Sequence, residues 1–100
     1  MVNGVYRAAR SQDLRKDRGL TSQMTRAAVS ITSNIAEGHV RGSRVQYVEF
    51  CFIAKGSAGE LRSQVINAHD AGLLDDTAYS WLHDKCLDVS RMLAGYIKHL

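Results

Sequence analysis

The stretch that most restricts what this chain can become is residues 19–38, GLTSQMTRAAVSITSNIAEG. Its apolar residues fall at Leu20, Met24, Ala27, Ala28, Ile31 and Ile35, the spacing of one face of an α-helix. Small residues crowd the same segment, at Ser30, Ser33, Ala36 and Gly38 as well as the two alanines. Small side chains let a neighbouring backbone come close, so this is expected to be the central packing helix. Asn34 and Glu37 lie three apart near its end and so share a face. Gly38 is expected to stop the helix in a left-handed cap.

The segments on either side supply partners for that helix. Residues 39–42 are expected to turn, with Ser43 capping the next helix. That helix, residues 44–71, carries a seam of alternating four- and three-residue steps: Tyr47, Cys51, Ala54, Ala58, Leu61, Val65 and Ala68. This is the pattern of a helix bundle. Its first half is apolar on other faces too, at Val45, Val48, Phe50, Phe52 and Ile53. One neighbouring helix cannot cover them all. Gly56 and Gly59 each cost roughly 1 kcal/mol of helix stability relative to alanine, a cost that close backbone packing is expected to offset. Gly72 is expected to end this helix and Asp75 or Asp76 to open the last one. The last helix has its own seam at Tyr79, Leu82, Cys86, Val89, Leu93, Tyr96 and Leu100.

Residues 1–11 hold little apolar content, so the first helix is expected to be short or incompletely represented. Proline is absent, which suits uninterrupted helices. Short connections make successive helices antiparallel. The expected fold is therefore an all-α, up-down antiparallel four-helix bundle with a short first helix, in one domain spanning residues 1–100. Reversing the chain at 39–42 sets Ile35 against Tyr47, Ile31 against Cys51, Ala28 against Ala54 and Met24 against Ala58. The same register keeps Cys51 and Cys86 roughly 13 Å apart along the bundle, too far for a disulfide.

Charge is unevenly placed. Residues 1–44 hold eight Lys/Arg against three Asp/Glu, and residues 45–100 hold five against seven. A basic half suits an acidic partner such as nucleic acid, or a dipolar surface that docks subunits. No apolar leader precedes the first charges and no run approaches a membrane span, so a cytoplasmic protein with free thiols is expected. A chain of 100 residues buries a modest share of its surface, and self-association is a natural source of further stability.

The run Leu20-Thr21, Gln23, Arg26-Ala27-Ala28, Ser30-Ile31, Asn34-Ile35-Ala36-Glu37-Gly38 resembles the family of small four-helix-bundle proteins encoded in intervening sequences of bacterial 23S rRNA genes. The resemblance continues through Phe50, Ala54, Gly56, Ser57, Glu60, Leu61 and Gly72 and covers about four-fifths of the chain. It implies a ring-shaped homopentamer with no attached enzymatic activity and no cofactor. It also implies a nucleic-acid enzyme as a candidate partner, because a related accessory protein of diversity-generating retroelements binds a reverse transcriptase.

Candidate nucleic-acid contacts are Arg26, Arg41, Arg44 and Lys98. Arg41, Arg44 and Lys98 are expected to gather with His39 at one end of the bundle, either as a phosphate-binding patch or as a solvated charged rim. No aromatic-interleaved motif is visible, so any such binding is expected to be electrostatic. Asn34, Glu37 and Gly38 form the structural motif, with Asn34 and Glu37 serving as a polar cross-link or a partner-binding pair. Phe50 and Phe52 are the candidate oligomer interface. His69-Asp70 and His83-Asp84 echo the ligand pair of HD-type metal phosphohydrolases, but no further ligand cluster accompanies them. No catalytic or metal residue is therefore assigned.

Overall fold

The computed structural model describes residues 3–5, 7 and 13–99. Among them there is helix and no strand. Residues 3–5 and 7 are helical and belong to α1; the rest of residues 1–11 lies outside the described part. A short 3₁₀ turn, Asp13–Lys16, follows. Then come α2 (Arg18–Arg41), α3 (Arg44–Asp70) and α4 (Asp76–His99). At 1.5 Å per residue the longest of these runs to about 40 Å, matching the 43 Å long axis of the molecule. α2 packs along α3, and α3 along α4. The result is the expected antiparallel four-helix bundle.

The caps follow from local chemistry. Asp17 caps α2: its carboxylate accepts from the Leu20 N–H at 3.0 Å. Thr21 donates its hydroxyl to the Leu14 carbonyl, at 2.9 Å, and ties the 3₁₀ turn to the helix. Ser43 caps α3 through the Gln46 N–H, at 3.1 Å. α3 ends in a Schellman arrangement. Leu73 N–H donates to Ala68 and Gly72 N–H to His69, with Gly72 at φ 76°. Asp75 caps α4 through the Ala78 N–H, at 2.7 Å.

Two expectations need correction. Gly38 does not end α2. The helix runs one turn further, and Gly42, at φ 79°, takes the left-handed cap. Gly38 is buried against α3, where a side chain would meet Phe50 Cβ at 3.1 Å and the Tyr47 ring at 3.3 Å. Its missing side chain serves close helix approach. The extra turn also slides the register of α2 on α3 by about one turn. Ser30 meets Ser57 with 2.8 Å between hydroxyls, and Gly38 lies over Tyr47 and Phe50. Gly56 and Gly59 are the second correction. They are exposed, and nothing lies within 4 Å of where their Cβ atoms would sit. The close packing expected to offset their cost is not made among the described residues.

The core divides in two. The larger cluster joins Val5, Leu14, Met24, Ala28, Leu61, Val65, Leu82 and Cys86. α1 reaches this one, and Gly4 lies so close to the Trp81 indole that any Cβ would overlap it. The smaller cluster, nearer the α2–α3 turn, is Cys51, Ala54 and Leu93 with half-buried Ile35, Tyr47, Val89 and Ile97 around it. Both cysteines are buried free thiols.

Candidate nucleic-acid interface

The α2–α3 turn is one pole of the bundle. Antiparallel packing returns the end of α4 to the same pole, where Ile97 joins the cluster that includes Tyr47. Arg41, Arg44 and Lys98 therefore occupy one end of the molecule. Arg26 does not join them; it sits on α2 fifteen residues before Arg41, roughly 22 Å lower along the helix.

The basic residues differ in how far they are already engaged. Arg41 Nε donates to Glu37 Oε1 at 3.1 Å. Its guanidinium also lies over the Phe50 ring, 5.4 Å from the centroid. Arg26, Arg44 and Lys98 are exposed, and none has an ion pair among the described residues. Arg44 is thus the uncompensated cation of the turn, and Arg41 is already paired with Glu37.

The same region holds a shallow concavity of about 380 Å³, lined by Gly38, His39, Gly42, Ser43, Arg44 and Tyr47. His39, on α2, leans on Tyr47, on α3, with ring centroids 4.9 Å apart and planes tilted by 57°. Burial pushes the Tyr47 hydroxyl above its usual pKa, and the adjoining Cys51 and Tyr96 add to the effect. It stays a neutral phenol. This aromatic pair escaped the sequence reading because its rings come from different helices. The available signal was His39 three residues before the αL Gly42, opposite the first seam residue of α3.

The other sequence candidates are dispersed. Asn34 and Glu37 do not act as a pair. Asn34 Nδ2 donates back to the Ser30 carbonyl at 2.7 Å and reaches Ser30 Oγ at 3.1 Å, while Glu37 turns to Arg41. The chain Asn34–Ser30–Ser57 forms a polar link from α2 to α3. Phe50 is half-buried beneath Arg41 and against Gly38. Phe52 is 56% exposed. It stands on an outer face of α3 with Val45, Ile53, Gly56 and Gly59, all exposed.

The HD dipeptides make no metal site. His69 pairs with Asp76 at 2.7 Å and stacks on Tyr79 at 4.1 Å. His83 accepts from Arg62 Nε at 3.2 Å. Among the described residues no three His, Cys, Asp or Glu side chains gather closely enough to hold a metal. No helix among them is long and apolar enough to cross a membrane.

No curated protein matches the chain. The fold has a solved counterpart in a protein of unknown function from the S23 ribosomal protein family of Bacteroides thetaiotaomicron. The two are 19% identical, with a TM-score of 0.86 over 97% of this chain and 88% of that one. A likeness at that identity speaks for the fold alone. The family model of the 23S rRNA-intervening sequence protein matches residues 1–95, and it spans the small-residue helix, the basic turn and the α3 seam that organise the molecule. This chain belongs to the 23S rRNA-intervening sequence protein family.

Proposed function

We propose that this protein is a non-catalytic, self-associating bundle that serves as an accessory to RNA or to a ribonucleoprotein, binding through the pole of the α2–α3 turn. The observation that carries the reading is Arg44. It is exposed, lacks an ion pair among the described residues and lies at the same pole as Lys98. Charges left uncompensated at one end of a bundle attract phosphates, and each phosphate neutralised releases counterions.

Self-association rests on α3. Val45, Phe52 and Ile53 are 68, 56 and 50% exposed, more apolar surface than a lone helix face normally leaves to water. A ring would cover that face and repeat the basic pole around an axis, turning a modest patch into a multivalent one. Five subunits is the number the family resemblance implies. Light scattering should give a multiple of the 11.1 kDa chain, and Phe52→Asp should dissociate it, because burying an unpaired carboxylate is costly.

A second reading is a protein-interaction scaffold without a nucleic-acid role. The Glu37–Arg41 pair favours it, since it removes half of the turn's positive charge. Titrating unrelated RNAs against salt separates the two. Under the first reading affinity falls steeply with salt, and Arg41→Glu with Arg44→Glu weakens all RNAs alike and flattens the slope. Absence of binding even at about 50 mM salt would leave the scaffold reading alone.

A further inference from the structure

We propose that the concavity at the α2–α3 turn is a single-nucleotide pocket, taking one unstacked base of a single strand beside His39 with its phosphate on Arg44. The proposal rests on the nucleic-acid reading of this pole and narrows it to single strands. Three observations carry it. The hollow is about 380 Å³, within the range of small-ligand sites. Its mouth is open at Gly42, where no described residue stands within 4 Å of the place a Cβ would take. Its wall is aromatic and its rim cationic, with exposed His39 held at 4.9 Å against Tyr47 and with uncompensated Arg44 beside them.

These parts suit a planar ring joined to an anion. A ring already packed against a neighbour surrenders little freedom when a base lies on it, and base–aromatic stacking tolerates every base. Sequence preference is therefore weak, as a purely ionic site would also show. The two differ on duplexes. Bases inside a duplex are stacked on each other and cannot enter the hollow, so a duplex meets only the cationic rim.

The test compares short oligouridine, about ten nucleotides long, with an RNA duplex of equal length at one salt concentration. The full chain is used, and binding is followed by fluorescence anisotropy. The single strand is expected to bind at least about fivefold more tightly, the lower end of what one stacked base contributes. His39→Ala should close most of that gap, whereas His39→Phe, which keeps a ring without an ionisable group, should preserve it. His39 is exposed, so both variants fold. Equal affinity for strand and duplex overturns the pocket while leaving the ionic reading intact. So does a gap that His39→Ala does not change. Binding to neither probe overturns both.

Discussion

Two surfaces of α3 are built from small residues, and they end differently. The inner one faces α2. There Ser57 meets Ser30, and α2 brings Gly38 into contact with Tyr47 and Phe50. The outer one carries Gly56 and Gly59 beside Phe52 and Ile53, and no described residue lies within 4 Å of where the glycines' Cβ atoms would sit. Each glycine loosens its helix by roughly 1 kcal/mol relative to alanine. On the inner face that cost is offset by contact, because the absent Cβ is the space the neighbour occupies. On the outer face nothing among the described residues offsets it. Small-residue patterns thus mark close approach only when a second element supplies the approaching surface.

Filling the inner seam should produce the largest effect. Gly38→Leu drives a branched side chain into Phe50 and Tyr47. Overpacking of this kind costs about 1–3 kcal/mol, and the helical gain over glycine returns roughly 1. A net loss of up to about 2 kcal/mol is expected, or a fall of up to roughly 10 °C in melting temperature for a domain of this size. Gly56→Leu, placed on the outer face, should not lower the stability of the dissociated chain. Similar losses at both positions would erase the contrast between the faces.

The polar link in the same seam should matter less. Ser30→Ala removes the hydroxyl that joins Asn34 to Ser57. A hydrogen bond of this type contributes about 1 kcal/mol, and part-buried Ser57 can turn to water. Denaturant unfolding should show a loss of that order, with Ser30→Ala and Ser57→Ala together costing little more than either alone.

The other inner seam, between α3 and α4, carries a pH signature. Burial pushes the Cys86 thiol from 9.0 up to about 11, with nearby Arg62 opposing the shift. The unfolded chain then releases this proton first. The contribution of the neutral buried thiol is complete below pH 9, and it declines as pH rises from 9 to 11. The raised Tyr47 acts in the same direction. Cys86→Ala should flatten the decline while lowering stability at neutral pH through the cavity it leaves.

The helices and their antiparallel order were legible because the seams of α3 and α4 repeat cleanly and proline is absent. Ser43, Gly72 and Asp75 acted as their residue types predict. Gly38 misled because glycine has two uses, as a cap and as a close contact, and sequence spacing does not separate them. Gly42, four residues on, was the better cap, and choosing the earlier glycine displaced the α2–α3 register by a turn. The candidate site was half legible. Arg41 and Arg44 were visible as charges, but the Glu37 partner that neutralises Arg41 was assigned to Asn34. The His39–Tyr47 contact depends on two helices meeting, which no single stretch records.

The smallest effect has the most informative sign. Gly56→Ala and Gly59→Ala add methyl groups where this chain offers open space. In an isolated bundle each should stabilise by up to about 1 kcal/mol, because alanine loses less backbone freedom on forming a helix. In a ring that uses the outer face, the same methyls stand where a neighbouring subunit approaches. The double variant would then weaken assembly while strengthening the bundle. Unfolding the Phe52→Asp background, with and without the two alanines, isolates the first effect. Light scattering of the alanine variant in the wild-type background, across protein concentrations, isolates the second. A gain in the first together with an earlier dissociation in the second would assign the outer glycines to subunit contact. A gain with unchanged assembly would place the interface elsewhere and leave the two glycines as a plain cost to α3.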